Sequence, residues 1–247
     1  MPNVHPATVD GAFSLRPGTA DHVIYDQVVR QNEYHLPERF APGTLVVDIG
    51  THVGAFSYLA LTRGAADVVG YEPERANHRC AAQNLSPFGS RAHVHCTAVW
   101  RSDATIDQLP FFPSSDPSNT GGGSVIWDTD EHHVDVTPFD SVLEAASEGG
   151  RRRVDVVKMD CEGAEFPILL TSKRLHLIDN MVGEYHELRA PLPSHTAILG
   201  YTEFAVPDLM RVLRASGFDV TVEPRASGAY GELGLFFAHR VCDTSQP

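Results

Sequence analysis

No stretch of about 18 consecutive apolar residues occurs anywhere in the chain, so no membrane-spanning helix is expected. Cysteine is scarce and scattered at Cys80, Cys96, Cys161 and Cys242. With no Cys-x-x-Cys pair and no N-terminal secretory signal, reduced thiols and a cytoplasmic location are expected. Positive charge is short as well: 19 Lys and Arg stand against 32 Asp and Glu, for a net charge of −13. Nonspecific binding to nucleic acid or to an anionic membrane needs a basic surface, and this balance argues against both. The dinucleotide fingerprint Gly-x-Gly-x-x-Gly is also absent, which counts against a Rossmann oxidoreductase. What remains is ordinary globular material, 247 residues with 42% hydrophobic and 21% charged. That is enough for one large α/β domain with a small N-terminal attachment.

The most informative stretch runs from Leu45 to Ser57. Val46, Val47 and Ile49 suit a strand buried on both faces, as in a parallel sheet. Gly50 permits a sharp turn and a close ligand approach, and Gly54 falls where a helix begins. The free N–H groups of that helix end favour an anionic group such as a carboxylate. A second strand then ends in Tyr71-Glu72-Pro73, placing Glu72 22 residues after Gly50. In a βαβ unit an acid at about that distance, roughly 20 residues on, can accept hydrogen bonds from ribose hydroxyls. Thr51-His52 adds bulk where a pyrophosphate would lie, so S-adenosylmethionine fits this loop better than a dinucleotide does.

In order along the chain, residues 1–20 read as a loose leader. Val23, Ile24, Val28 and Val29 recur at helical spacing from Asp21 to Arg30, as either a cap over the cofactor mouth or an ordinary packing helix. Helices are expected at Phe56 to Arg63 and Asn77 to Leu85. Ala92 to Val99 reads as the third strand, with Ala98 and Val99 beside the adenine. His93 and His95 share a strand face, with no metal expected there. Residues 101–138 break the rhythm with a Pro/Ser/Gly-rich loop able to reach a second substrate. Val125 to Trp127 and Val134 to Val136 are expected to pair as a hairpin, with Glu131-His132-His133 as a solvated tip. A helix from Phe139 to Ala146 follows.

Val154 to Leu169 forms the second informative stretch. A buried strand ends in acids and turns at Gly163 into a helix, and the crevice beyond such strand ends is where open α/β sheets bind ligands. Lys158 and Asp160 share a face, and Lys158 needs a carboxylate partner such as Glu162 or Glu184. Glu165 compensates the helix dipole. Glu184 and His186 alternate onto one face of a fifth strand that opens onto the same crevice. The chain closes with a helix (Val206 to Ser216), a strand (Phe218 to Glu223), a turn at Gly228 to Gly231 and a strand from Leu233 to His239. That hairpin fits a seven-stranded sheet with one antiparallel strand.

Val47-Asp48-Ile49-Gly50, Tyr71-Glu72-Pro73 and especially Lys158-Met159-Asp160-Cys161-Glu162-Gly163-Ala164-Glu165 resemble the FkbM-type class I methyltransferases over roughly residues 30 to 240. The resemblance implies an α/β, Rossmann-like class I methyltransferase fold: seven strands, mostly parallel, helices on both faces, using S-adenosylmethionine. By position Asp48, Gly50, Thr51, His52, Gly54, Phe56, Ser57, Glu72, Pro73, Ala98 and Val99 would hold that cofactor. Glu33 and Tyr34 resemble the pre-core segment and would line the pocket. Residues 1–40 would be a leader and helical cap, and 41–247 the methyltransferase domain carrying the insertion at about 101–138. The family mostly O-methylates sugars, polyketides and other natural products. Asp160 or His186 is the expected base, with Glu184 orienting the imidazole and Lys158 fixing the carboxylates. A rival has Asp160, Glu184 and His186 holding a divalent cation. Methylation of nitrogen or carboxylate, and a nonenzymatic cofactor- or partner-binding protein, stay open. The expected partner is a small-molecule acceptor, with a homodimer left open.

Overall fold

The computed structural model describes residues 7–9, 13–127, 129, 132–227 and 231–241. Glu131, positions 228–230 of the expected turn, Cys242 and residues 1–6 and 10–12 of the expected leader lie outside them.

The N-terminal segment begins with β1 (Ala7–Val9) paired antiparallel to β2 (Phe13–Leu15). It is not loose from residue 13 onward, because Phe13 and Leu15 are buried with Tyr25 and Val28 in the core. Helix α1 (Asp21–Tyr25) widens into a π-helical turn, Asp26–Arg30. Strand and helix then alternate through β3 (Leu45–Ile49), α2 (Ala55–Thr62), β4 (Asp67–Tyr71), α3 (Arg75–Leu85) and β5 (Ala92–His95). The insertion carries β6 (Ala98–Trp100), β7 (Gln108–Pro110) and β8 (His133–Pro138). Helix α4 (Phe139–Ala146), β9 (Val154–Met159), α5 (Glu165–Thr171) and β10 (Ile178–His186) resume the alternation. Helix α6 (Val206–Ala215), β11 (Phe218–Ser227) and β12 (Glu232–Arg240) close it.

Seven strands form one sheet in the order β5-β4-β3-β9-β10-β12-β11. Only β12 runs antiparallel to the rest, as the closing hairpin required. Strand β3 is buried along its whole length because both faces are covered. Val46 packs with the N-terminal segment and α2, while Val47 and Ile49 pack with the side of α4, α5 and α6. Each such side chain contributes about 1.5–3 kcal/mol on burial, so apolar runs on a central strand dominate the energetics of the sheet. Strand order reverses between β3 and β9, and the crevice beyond their carboxyl ends lies there.

Two expectations need correcting. The third strand stops at His95, and Ala98 to Trp100 leaves the main sheet for a second, three-stranded sheet in the order β6-β8-β7. The expected hairpin between Val125–Trp127 and Val134–Val136 does not form. Val134 and Asp135 pair instead with Leu109 and Gln108, and Val136 with Ala98. Val125 and Ile126 are buried, so their hydrophobicity serves the core and not a ladder.

Candidate active site

The turn after β3 is held from beneath. The Gly50 and Thr51 N–H groups donate to the Tyr71 carbonyl at 3.0 and 3.1 Å, tying this turn to the end of β4. Gly50 has φ +77°, and a Cβ there would collide with the Asp160 carbonyl oxygen, so glycine is what lets the β3 and β9 turns touch. Both oxygens of Glu72 are engaged by backbone: the His52 N–H donates to Oε2 at 2.8 Å and the Glu74 N–H to Oε1 at 2.9 Å. A carboxylate offers about four acceptor sites, so two remain for hydroxyl donors. Burial pushes Glu72 up to about 7.

A cavity of about 250 Å³ opens beyond these strand ends. Of the residues expected at the cofactor, Gly50, Thr51, His52, Phe56, Glu72, Pro73, Ala98 and Val99 line it, as do Lys158, Asp160 and Glu184. Glu33 and Tyr34 line it too. Asp48, Gly54, Ser57 and His186 are not among the lining residues. Asp48 lies fully buried below the turn, where it accepts the Ser57 hydroxyl at 2.6 Å and faces Lys158 Nζ at 3.4 Å. Gly54 starts α2 in a left-handed conformation against Leu85 and Ala81 of α3. These three residues support the turn and do not face the cavity.

Lys158 takes different partners from those expected. Its Nζ donates to the Gly50 carbonyl at 2.6 Å and the Ile49 carbonyl at 3.3 Å, and it pairs with Asp48 and, at 3.9 Å, with Asp160. Burial opposes its charge, yet Asp48 and Asp160 raise its pKa above the ordinary lysine value. Asp160 also accepts the Tyr34 hydroxyl at 3.1 Å. Helix α1 and the segment after it thus reach the carboxylate at the switch point.

His186 does not have the setting a base needs. Its Nδ1 lies 3.3 Å from Glu165 Oε1, so Glu165 orients the ring and not Glu184, whose Oε2 is 3.5 Å from Nε2. Glu165 is fully buried and also accepts the Cys161 and Gly163 N–H groups. Burial works against a charged imidazole, but Glu165, Glu162 and Asp160 outweigh it and raise His186 to about 10. A histidine protonated at neutral pH accepts no further proton. Burial and the neighbouring Asp160 push Glu184 up as well.

One network escaped the sequence reading. Arg16 clamps the buried Asp21 at 2.8 and 2.9 Å and donates to Asn77 Oδ1. Thr120 of the insertion donates to Asp21 Oδ1 at 2.7 Å, lies 2.9 Å from His52 Nε2, and accepts Asn77 Nδ2 at its carbonyl. Burial would raise Asp21, but Arg16 and Thr120 hold it at about 2. Burial lowers His52 to about 4, so its ring is neutral. The N-terminal segment, the first turn, α3 and the insertion therefore meet at one edge of the cavity. No local spacing signals this.

Residues 48–220 match the family model of the methyltransferase FkbM domain. The chain belongs to the FkbM methyltransferase family. Membership makes it an S-adenosylmethionine-dependent methyltransferase with the Rossmann-like sheet described above. It is 25% identical over 188 residues to Methyltransferase 1 of Beauveria bassiana, covering 68% of this chain and 74% of that protein. It is 24% identical over 243 residues to the AMB antimetabolite synthetase AmbE of Pseudomonas aeruginosa. That match takes in 83% of this chain but spans only 11% of AmbE. A solved N-terminal domain of EvdMO1 with SAH bound aligns over 97% of this chain and 92% of that one, at 11% identity and a TM-score of 0.48. Among the described residues no helix is long and apolar enough to cross a membrane.

Proposed function

We propose that this methyltransferase O-methylates a hydroxyl on a small natural product or sugar, with Asp160 as the base. One observation carries the reading: Glu72 and Asp160, at the ends of different strands, line one continuous cavity. The residues fit the cofactor, since Glu72 keeps acceptor capacity for ribose hydroxyls where the first turn brings the backbone close. Glu72, Pro73, Ala98 and Val99 would hold the adenosyl part, and the turn at Gly50 to His52 the amino-acid part. When bound, S-adenosylmethionine supplies a methyl group on a positively charged sulfur, a carbon already activated for displacement.

The cavity walls would orient the acceptor, and such orientation can supply roughly 7–11 kcal/mol of the barrier. Asp160, at the acceptor end, would take the hydroxyl proton, and its carboxylate is the chain's own contribution to the transfer. Lys158 and the Tyr34 hydroxyl hold that carboxylate in place. A carboxylate at the acceptor end supports a hydroxyl acceptor, because an amine or a carboxylate needs less help from a base. The relation to AmbE, named as an antimetabolite synthetase, supports a natural-product acceptor.

The experiment incubates the protein with isotope-labelled S-adenosylmethionine and a panel of polyhydroxylated small molecules, read by mass spectrometry. With the best acceptor, Asp160→Asn is expected to slow the single-turnover rate by about 10²- to 10⁴-fold. S-adenosylhomocysteine affinity should stay unchanged. A wild-type rate in Asp160→Asn removes the base assignment.

A further inference from the structure

We propose that Asp160, Glu162 and His186 form a divalent-cation site at the acceptor end of the cavity. One ligand atom from each lies within 4.8 Å of the others. Donors around a first-row cation, at bonds of about 2.1 Å, sit roughly 3–4 Å apart, so a small side-chain adjustment closes the set. Asp160 and Glu162 come from the turn after β9, and His186 from the end of the neighbouring β10. The sequence reading has Glu184 as the second carboxylate ligand. The fold substitutes Glu162 and leaves Glu184 beside the set, 3.5 Å from His186 Nε2.

A second observation points to a ligand, independent of the number of acids. His186 is mostly buried, and its Nδ1 is committed to the fully buried Glu165. That arrangement aims Nε2 at the carboxylates, yet among the described residues Nε2 makes no hydrogen bond. Its nearest acceptors are Glu184 Oε2 at 3.5 Å and Glu162 Oε2 at 3.7 Å, both at ion-pair separation. The Glu162 carboxylate likewise receives no hydrogen bond among the described residues, its one ion-pair partner being His186. A histidine held at one nitrogen by a carboxylate, with the other turned toward further carboxylates, is the arrangement that orients imidazole toward a metal. A bound cation replaces the proton on Nε2.

The mixed nitrogen and oxygen donors suit Mn²⁺, Fe²⁺, Co²⁺ or Zn²⁺ better than Ca²⁺. Asp160 and Glu162 line the cavity, so coordination positions not filled by protein would face the acceptor, and Asp160 bound through one oxygen keeps the other for the hydroxyl proton. This narrows the acceptor to molecules with two adjacent oxygens, a vicinal diol or a hydroxyl beside a carbonyl. That last step rests on the methyltransferase reading, whereas cation binding itself does not.

The test titrates the full chain with Mn²⁺ and follows loss of the free-ion electron paramagnetic resonance signal. S-adenosylhomocysteine binding is measured by calorimetry on the same samples. Wild type is expected to bind one Mn²⁺ per chain. Glu162→Gln and His186→Gln should weaken it by at least about 10- to 100-fold, the loss seen when even a supporting residue is removed. Glu148→Gln, at an exposed acid elsewhere, should bind as wild type does. Glu162→Gln decides the matter if His186→Gln fails to fold, because the Glu162 side chain is a third exposed. An unchanged Mn²⁺ signal with wild type, or wild-type affinity in Glu162→Gln, overturns the site and leaves a proton-neutralised ion cluster. Loss of S-adenosylhomocysteine binding by wild type would overturn the methyltransferase reading instead.

Discussion

Lys158→Met removes a buried cation that sits among the strand ends beneath the active site. In wild type its ammonium group donates to two carbonyls and faces Asp48 at 3.4 Å and Asp160 at 3.9 Å. Without it, Asp48 stays fully buried with a single hydrogen bond, from Ser57. Breaking a buried pair by removing one partner costs about 3–5 kcal/mol, because the remaining charge loses its compensation. Against a total stability of about 5–15 kcal/mol, that is a large loss. Its pH dependence follows from Asp48. Burial already raises this carboxyl above its ordinary value, with Lys158 opposing, so deleting Lys158 raises it further. A carboxyl whose folded pKa lies above the unfolded one makes the folded state bind the extra proton, so stability falls as pH rises between the two values. The deficit of Lys158→Met relative to wild type should therefore be largest at pH 8 and shrink as pH falls and Asp48 protonates. Urea denaturation at matched m-values measures it, and Asp48→Asn in the Lys158→Met background should recover most of the loss. The reasoning fails if the deficit at pH 8 is under about 1 kcal/mol, a surface-pair value. It also fails if the deficit is independent of pH, or if Asp48→Asn recovers nothing.

Two further outcomes follow from the cofactor side. Burial pushes Glu72 up to about 7, and its ionised form would be the better acceptor for two ribose hydroxyls. Calorimetry should show S-adenosylhomocysteine binding tightening as pH rises through about 7 in wild type. In Glu72→Gln that profile should be flat, with binding weaker by about 1.5–3 kcal/mol at pH 8; a pH-dependent Glu72→Gln would exclude Glu72 as the source. Gly50→Ala forces a side chain into a left-handed turn and against the Asp160 carbonyl oxygen. A loss of more than about 2 kcal/mol in thermal or urea unfolding is expected, and wild-type stability would show that the two turns are not in contact.

Much of the scaffold could be read locally because its signals are local. The β-branched residues Val46, Val47 and Ile49, and Val154, Val156 and Val157, are what burial on both faces of a parallel strand demands. The helix expected from Val206 to Ser216 spans Val206–Ala215. The insertion was harder to read. Val125 and Ile126 look like strand residues, but hydrophobicity cannot tell a ladder from a core contact, and here the core claims them.

Taken alone, the sequence determined the class of fold and the two strand ends where chemistry gathers, because glycine turns and terminal acids act within a few residues of their own position. Which acid serves which purpose was decided only when distant strands were set side by side. The β3–β9 pairing turned Asp48 from a cofactor ligand into the buried partner of Lys158, and the β9–β10 pairing gave His186 to Glu165 and kept it protonated. Protonation and ion pairing depend on burial and on charges a few ångströms away, and those distances exist only in the folded chain.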